Sequence, residues 1–324
     1  CSVGKYFGMS KPDKVVFTKN STEAINLFFN GFLHQGDHVI ISCYEHNAVL
    51  RPIQRLKEKG IIEYSIIQRD DLTLSADDLY QKYAKKNTRL LALTLASNLT
   101  GRIIFRDDIY EYFHKKGVVT FVDSSQGAGK IRLMMKSQKI DFLAFTGHKD
   151  LMALPGVGGL CCESSEHIEP FIQGGTGIHG EEYTNPDVFP EGYEAGTLNM
   201  PAIWSMHAAI DYLDKHFNEI SVIEKQLMTY LLDGLKKIDT VTVYDEQFLR
   251  VSTCSINVKG ISSDRLVALL DKNGVCVRGG IHCAIIAHEA IGTVSTGTVR
   301  LSLNYMNTEQ EIDTVLSILR KAGD

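Results

Sequence analysis

The segment RGGIHCAIIAH, residues 278–288, sets Cys283 between two histidines and behind two glycines and Arg278. Three chemistries suit a cysteine in that company. It could be a nucleophile, because neighbouring positive charge from Arg278 and His282 would favour the thiolate. It could be one ligand of a His-Cys-x4-His metal site, although these three donors have no fourth nearby. It could also be a small apolar residue of a core. Reactive side chains recur elsewhere wherever a short apolar run ends: Ser21 and Thr22, His46, Asn98, Asp123 with Gln126, and Thr146, His148 and Lys149.

The elements that position these groups alternate. KVVFT leads into the amphipathic STEAINLFFNGFL, DHVIIS into VLRPIQRLKEKG, and IEYSII into SADDLYQKYAKKN. TRLLALTLAS, VVTFVD and IDFLAFTGHK continue the pattern. Short apolar, β-branched runs separated by helices of about a dozen residues predict an α/β domain with a mostly parallel sheet covered on both faces. Ligands of such sheets bind beyond the carboxyl ends of the strands. From PAIWSMH onward the texture changes to two long helical patterns, a few strands and a last helix, which predicts a smaller α+β domain. The expected division is 1–210 and 211–324.

A lysine at one strand end and a carboxylate at another suit pyridoxal 5'-phosphate (PLP). The lysine would form the Schiff base, and the carboxylate would keep the pyridinium nitrogen protonated. Ser21-Thr22-Glu23, opening a helix, fits either a cap or a phosphate site. His46 could stack on the ring or simply face solvent. PGVGG matches no dinucleotide fingerprint.

The 324 residues, 44% of them apolar, suffice for a substantial core. A formal net charge of −5 argues against a nucleic-acid groove or an anionic membrane as partner. No run is long and apolar enough to cross a bilayer and no secretory leader opens the sequence, so a cytoplasmic location is expected. The seven cysteines show neither disulfide nor zinc-finger spacing; Cys161, Cys162 and Cys254 read as core residues.

Taken in order, FTKNSTEAIN, YEHNAVLRP, ASNLTGRI, VDSSQGAG, FTGHKDL, YEAGTLN, RGGIHCAIIAH and GTVRLSLNYMNTEQEID resemble the successive motifs of class V aminotransferase-type, fold-type I PLP enzymes. Within them the resemblance is to the group II cysteine desulfurase/selenocysteine lyase branch. It implies the aspartate aminotransferase-like fold and PLP as cofactor. Lys149 becomes the Schiff-base lysine, Asp123 the pyridinium partner, Gln126 a donor to the ring hydroxyl and His46 the ring-stacking acid/base. Asn98 would lie near ring hydroxyl and substrate. Ser21, Thr22, Thr146 and His148 would serve the phosphate, and Thr197 would reach the phosphate of a neighbouring subunit, which implies a homodimer. Arg300 matches the substrate-carboxylate arginine, Arg278 lines the same site, and Cys283 aligns with the sulfur-accepting cysteine. The implied reaction turns L-cysteine into L-alanine and leaves a persulfide for an acceptor protein. L-Selenocysteine as substrate, or an aminotransferase or lyase that does not use Cys283, are the alternatives. The chain departs from the family in HKDLMALPG, HCAII and DSSQ, and it lacks the usual opening Asp-Asn-Ala-Ala-Thr segment, from which an incomplete chain is expected.

Overall fold

Short runs rich in valine, isoleucine and phenylalanine pack well on a pleated surface. In a computed structural model, which describes residues 1–322, they form two sheets. The first contains β1 (Val15–Thr18), β2 (Asp37–Ser42), β3 (Ile62–Ile67), β4 (Thr88–Thr94), β5 (Val119–Asp123), β6 (Phe142–Thr146) and β7 (Gly158–Cys162), in the order β1-β7-β6-β5-β4-β2-β3. Strands β3, β2, β4, β5 and β6 run parallel; β7 is antiparallel to both neighbours. Between them run α1 (Ser2–Tyr6), α2 (Ser21–Phe32), α3 (Asn47–Glu58), α4 (Ala76–Tyr83) and α5 (Asp107–Lys115). Every residue of β5, β6 and β7 is buried, as expected of strands covered on both faces. Phe28 of α2 stacks on Phe32 and Phe121 with ring centroids 4.9 and 4.8 Å away and meets Phe142 at 4.6 Å, pinning α2 to the middle of the sheet.

The chain divides into one unit of residues 1–95 with 104–215, and another of residues 96–103 with those from 216 onward. This differs from the division at 210 in one instructive way. Residues 96–103, which begin one residue beyond the end of β4 and include Asn98, belong to the second unit, an excursion that leaves no mark in composition. A second difference lies in α6, which runs unbroken from Met200 to Leu235 where the sequence reads as two helices. After Pro201 no glycine or proline occurs before Gly234, so nothing breaks the helical ladder.

The second unit carries the antiparallel sheet β10-β11-β9-β8, made of β8 (Val241–Val243), β9 (Thr253–Val258), β10 (Arg278–Gly280) and β11 (Thr298–Ser302). With it are α7 (Ser263–Lys272), α8 (Ile285–Ile291) and α9 (Glu309–Ala322). Its core joins Leu231 and Leu235 to Ile256, Leu270, Val299 and Leu316.

At the start of α2 the cap is Asn20, whose Oδ1 accepts the Glu23 N–H at 3.0 Å while Glu23 Oε2 accepts the Lys19 N–H at 2.6 Å. This capping pair leaves Ser21 and Thr22 inside the first turn, not as caps. Asn20→Ala is expected to lower stability by about 1 kcal/mol, read as a lower denaturant midpoint with an unchanged slope.

Candidate active site

Strand order reverses between β2 and β4, the position where open α/β sheets receive ligands. His46 follows β2 there, and the other expected groups of the first unit, apart from Thr197, lie at or just after the ends of β1, β5 and β6. Asp123 closes β5 and is only 2% exposed. Its Oδ1 accepts the Ser125 N–H at 2.9 Å and lies 2.5 Å from Ser125 Oγ, which is 2.7 Å from Ser21 Oγ. The carboxylate is thereby tied to the first turn of α2. Thr146 closes β6 with its Oγ1 3.1 Å from His148 Nδ1, and half-buried Lys149 follows. Burial and the neighbouring Lys149 charge hold His148 below its ordinary pKa. Gln126 is half-buried in the loop after β5. That loop is fastened to the lysine loop: Asp150 Oδ2 accepts the Gly127 N–H at 3.1 Å, and Asp150 Oδ1 lies 3.2 Å from Lys130 Nζ. Gly129, at φ +95°, completes the contact, since a Cβ there would stand 2.1 Å from Asp150 O.

His46 caps α3 by accepting the Ala48 N–H at Nδ1, 3.0 Å away. A ring nitrogen that accepts is unprotonated, so the neutral ring carries its proton on Nε2. Thr22 is exposed at the α2 terminus. Thr197 is also exposed and lines a cavity of about 520 Å3 with Thr18, Glu194, Phe171 and Ile172.

The remaining expected groups lie together in the second unit. β10 and β11 pair so that Arg278 stands directly opposite Arg300. Arg278 Nη2 donates to Cys283 Sγ at 3.9 Å, and Cys283 is exposed. His282 and Cys283 have φ of +54° and +59°, and the Ala284 N–H donates to Ile281 O at 3.0 Å. They form the centre of a tight turn of the primed type, in which both central residues have positive φ. His282 is 3% exposed, with Nε2 3.0 Å from Thr298 O. Burial, helped by Arg300, His288 and Arg278, pushes its pKa down to about 4. The positive charge expected from His282 is therefore missing at neutral pH, and of the two cations expected to favour the thiolate Arg278 alone is charged. Asn98 Nδ2 donates to His282 O at 2.7 Å, Arg300 Nη1 donates to Asn98 O at 2.9 Å, and Asn98 Oδ1 is buried without a partner. His288 is stacked on His282, ring centroids 5.9 Å apart, and engages Thr293 Oγ1 through Nδ1.

The aminotransferase class-V family matches residues 2–315. The chain belongs to that family. A probable cysteine desulfurase of Methanothermobacter thermautotrophicus is 31% identical over 309 residues, covering 93% of this chain and 77% of its own length. The apo cysteine desulfurase of Thermococcus onnurineus superposes with a TM-score of 0.88 at 30% identity, over 99% of this chain and 82% of its own. A second solved structure, with TM-score 0.84 and 22% identity over 98% of this chain and 83% of its own, shares the fold and holds glycine covalently linked to a PLP cofactor. The class-V fold type I architecture is thus that of this chain, and among the described residues no helix is long and apolar enough to cross a membrane.

One group in this class-V site escaped the sequence reading. Glu45, next to His46, is fully buried. Its Oε1 accepts the Ser42 hydroxyl at 2.5 Å and the Ser42 and Thr94 N–H groups at 3.3 and 3.0 Å, joining the ends of β2 and β4. Burial, reinforced by Asp123, pushes its pKa up to about 8, so it is neutral at pH 7. Nothing in YEHNA marks Glu45 as buried, and the adjacency of β2 and β4 reveals it. Folding takes up a proton here: between 4.5 and about 8 the unfolded chain holds an ionised carboxylate and the folded chain a protonated one. Stability from this group therefore falls as pH rises through that window. Glu45→Gln keeps the accepting oxygen and removes the titration. Denaturation across the same window should show the variant gaining on the wild type as pH rises, by a few kcal/mol at the top; parallel curves would contradict a neutral Glu45.

Proposed function

We propose that this chain is a PLP-dependent cysteine desulfurase that converts L-cysteine to L-alanine and carries the sulfur as a persulfide on Cys283. The observation that carries this reading is the exposed Cys283 in its primed turn, 3.9 Å from Arg278, with Arg300 directly opposite. Two guanidinium groups side by side on neighbouring strands repel and suit an anionic substrate, while a thiol beside one of them suits nucleophilic work.

The residues fit PLP by their donor chemistry. Lys149 would hold it covalently through Nζ. Asp123, buried and supported by Ser125, would face the ring nitrogen as its counter-charge. Gln126 and the partnerless Asn98 Oδ1 would serve the ring hydroxyl, and His46 would lie on the ring. Ser21, Thr22, Thr146 and His148 offer hydroxyl, imidazole and first-turn N–H donors to the phosphate, the groups that bind anions at a helix start. When bound, PLP withdraws electrons from the substrate Cα. Arg300 would hold the substrate carboxylate, and Arg278 would lie beside it. Lys149 Nζ would move the Cα proton. Cys283 Sγ attacks the substrate sulfur, the C–S bond breaks and Cβ takes up a proton. Cysteine plus a thiol thus become alanine plus a persulfide, without an external oxidant or reductant.

The protein works as a homodimer in this reading. Thr197 reaches the partner's phosphate, and exposed Phe171, Ile172, Met200 and Trp204 in the same unit supply apolar surface for an interface. The persulfide passes to an acceptor protein, and the exposed thiols suit a reducing, cytoplasmic setting.

Product analysis of the PLP-loaded protein with L-cysteine and dithiothreitol, which reduces the persulfide and so supplies the two electrons, should give alanine and sulfide in equal amounts. Cys283→Ala should keep the cofactor's colour and lose most sulfide production, and turnover of L-selenocysteine should fall less because selenium leaves more easily. Cysteine desulfuration by the variant at the wild-type rate, with an acceptor present, would overturn the role of Cys283. Efficient turnover of selenocysteine alone would make the chain a selenocysteine lyase.

A further inference from the structure

Among non-glycine residues a left-handed φ is uncommon, and two in succession are sterically costly. The primed turn at 282–283 is the place for Asn-Gly, yet here it holds His-Cys. Something outside the turn must keep it. Two anchors reach it: the His282 ring on Thr298 O, and the side chain of Asn98, whose Nδ2 donates to His282 O at 2.7 Å. Asn98 is only 6% exposed. Its own carbonyl accepts Arg300 Nη1 at 2.9 Å, so one residue touches both the arginine on β11 and the peptide that precedes Cys283.

We infer that Asn98 is a positioning residue for the nucleophile: its amide clamps the strained His282-Cys283 turn so that Sγ stays against Arg278, and its carbonyl joins that clamp to Arg300. The assignment deepens the desulfurase reading, on which the word nucleophile rests, and it differs from the contact with the ring hydroxyl that resemblance implies for Asn98. With Nδ2 committed to His282 O, only Oδ1 is left for such a contact. An aspartate in its place would keep the shape and Oδ1 but could not donate to the His282 carbonyl.

Alkylation by iodoacetamide, resolved by peptide mass spectrometry and run without substrate, tests this directly. Cys276 is exposed in the same unit and gives the reference rate; Cys254, fully buried in that unit's core, reports unfolding. In Asn98→Asp and Asn98→Ala, Cys283 should react about tenfold more slowly relative to Cys276 while Cys254 stays protected, because the released turn takes Sγ away from Arg278. Unchanged relative reactivity of Cys283 with Cys254 protected would overturn the clamp. If both variants expose Cys254, a crystal structure of the wild type decides: Asn98 Nδ2 bonded to His282 O with Cys283 at positive φ supports the clamp, and a relaxed turn or a broken bond refutes it. No cysteine is turned over in these assays, so their failure leaves the desulfurase reading standing, and absence of desulfuration leaves the clamp standing.

Discussion

Two arginines stand directly opposite one another on the antiparallel ladder of the second unit, and like charges so placed repel. Arg278 and Arg300 share one register position on β10 and β11. The arrangement becomes favourable when an anion lies between or beside the two guanidinium groups; Arg278 also donates to the Cys283 sulfur, 3.9 Å away. A third positive charge would add to the repulsion. Burial removes it by keeping His282 neutral, with a pKa near 4, so that the imidazole serves as an anchor to Thr298 and not as a charge.

The first unit solves the opposite problem, since its site concentrates carboxyl groups. Asp123 is buried at the end of β5 and Glu45 at the switch between β2 and β4. Two ionised carboxylates in so little solvent would repel, and the chain separates their roles by environment. Glu45 keeps its proton and acts as a three-fold acceptor that joins two strand ends, while Asp123, supported by the Ser125 N–H and hydroxyl, is left to pair with a cation. His46 follows directly on Glu45, so the bonds that fix one also set the other at the start of α3. The Asp150 contacts to Gly127 and Lys130 do the same for the loops that carry Gln126 and Lys149.

Much of this was legible in the residues. Strand-helix alternation predicts the mostly parallel sheet, and polar groups at strand ends mark the site, because burial on both faces leaves only the ends of parallel strands for chemistry. What stayed hidden depends on pairing across long sequence separations. The opposition of Arg278 and Arg300 exists only through the β10–β11 register, and the burial of Glu45 only through the adjacency of β2 and β4. Residues 96–103 join the second unit without any change in composition, so Asn98 reads as one more strand-end group. Ser21-Thr22-Glu23 reads as either a cap or a phosphate site, and geometry alone shows that the cap is Asn20. The imidazole of His282 looked like a charge because sequence shows its neighbours and not its burial.

The claim that Cys283 receives the sulfur is tested most directly by following the atom. The PLP-loaded protein would be mixed with one equivalent of L-cysteine without an acceptor, quenched with an alkylating agent and digested for mass spectrometry. The peptide containing Cys283 should carry one additional sulfur atom in amount matching the alanine formed, with Cys1 and Cys276 unchanged. Alanine formed in full with no added sulfur on Cys283, or with the sulfur on another cysteine, would contradict it.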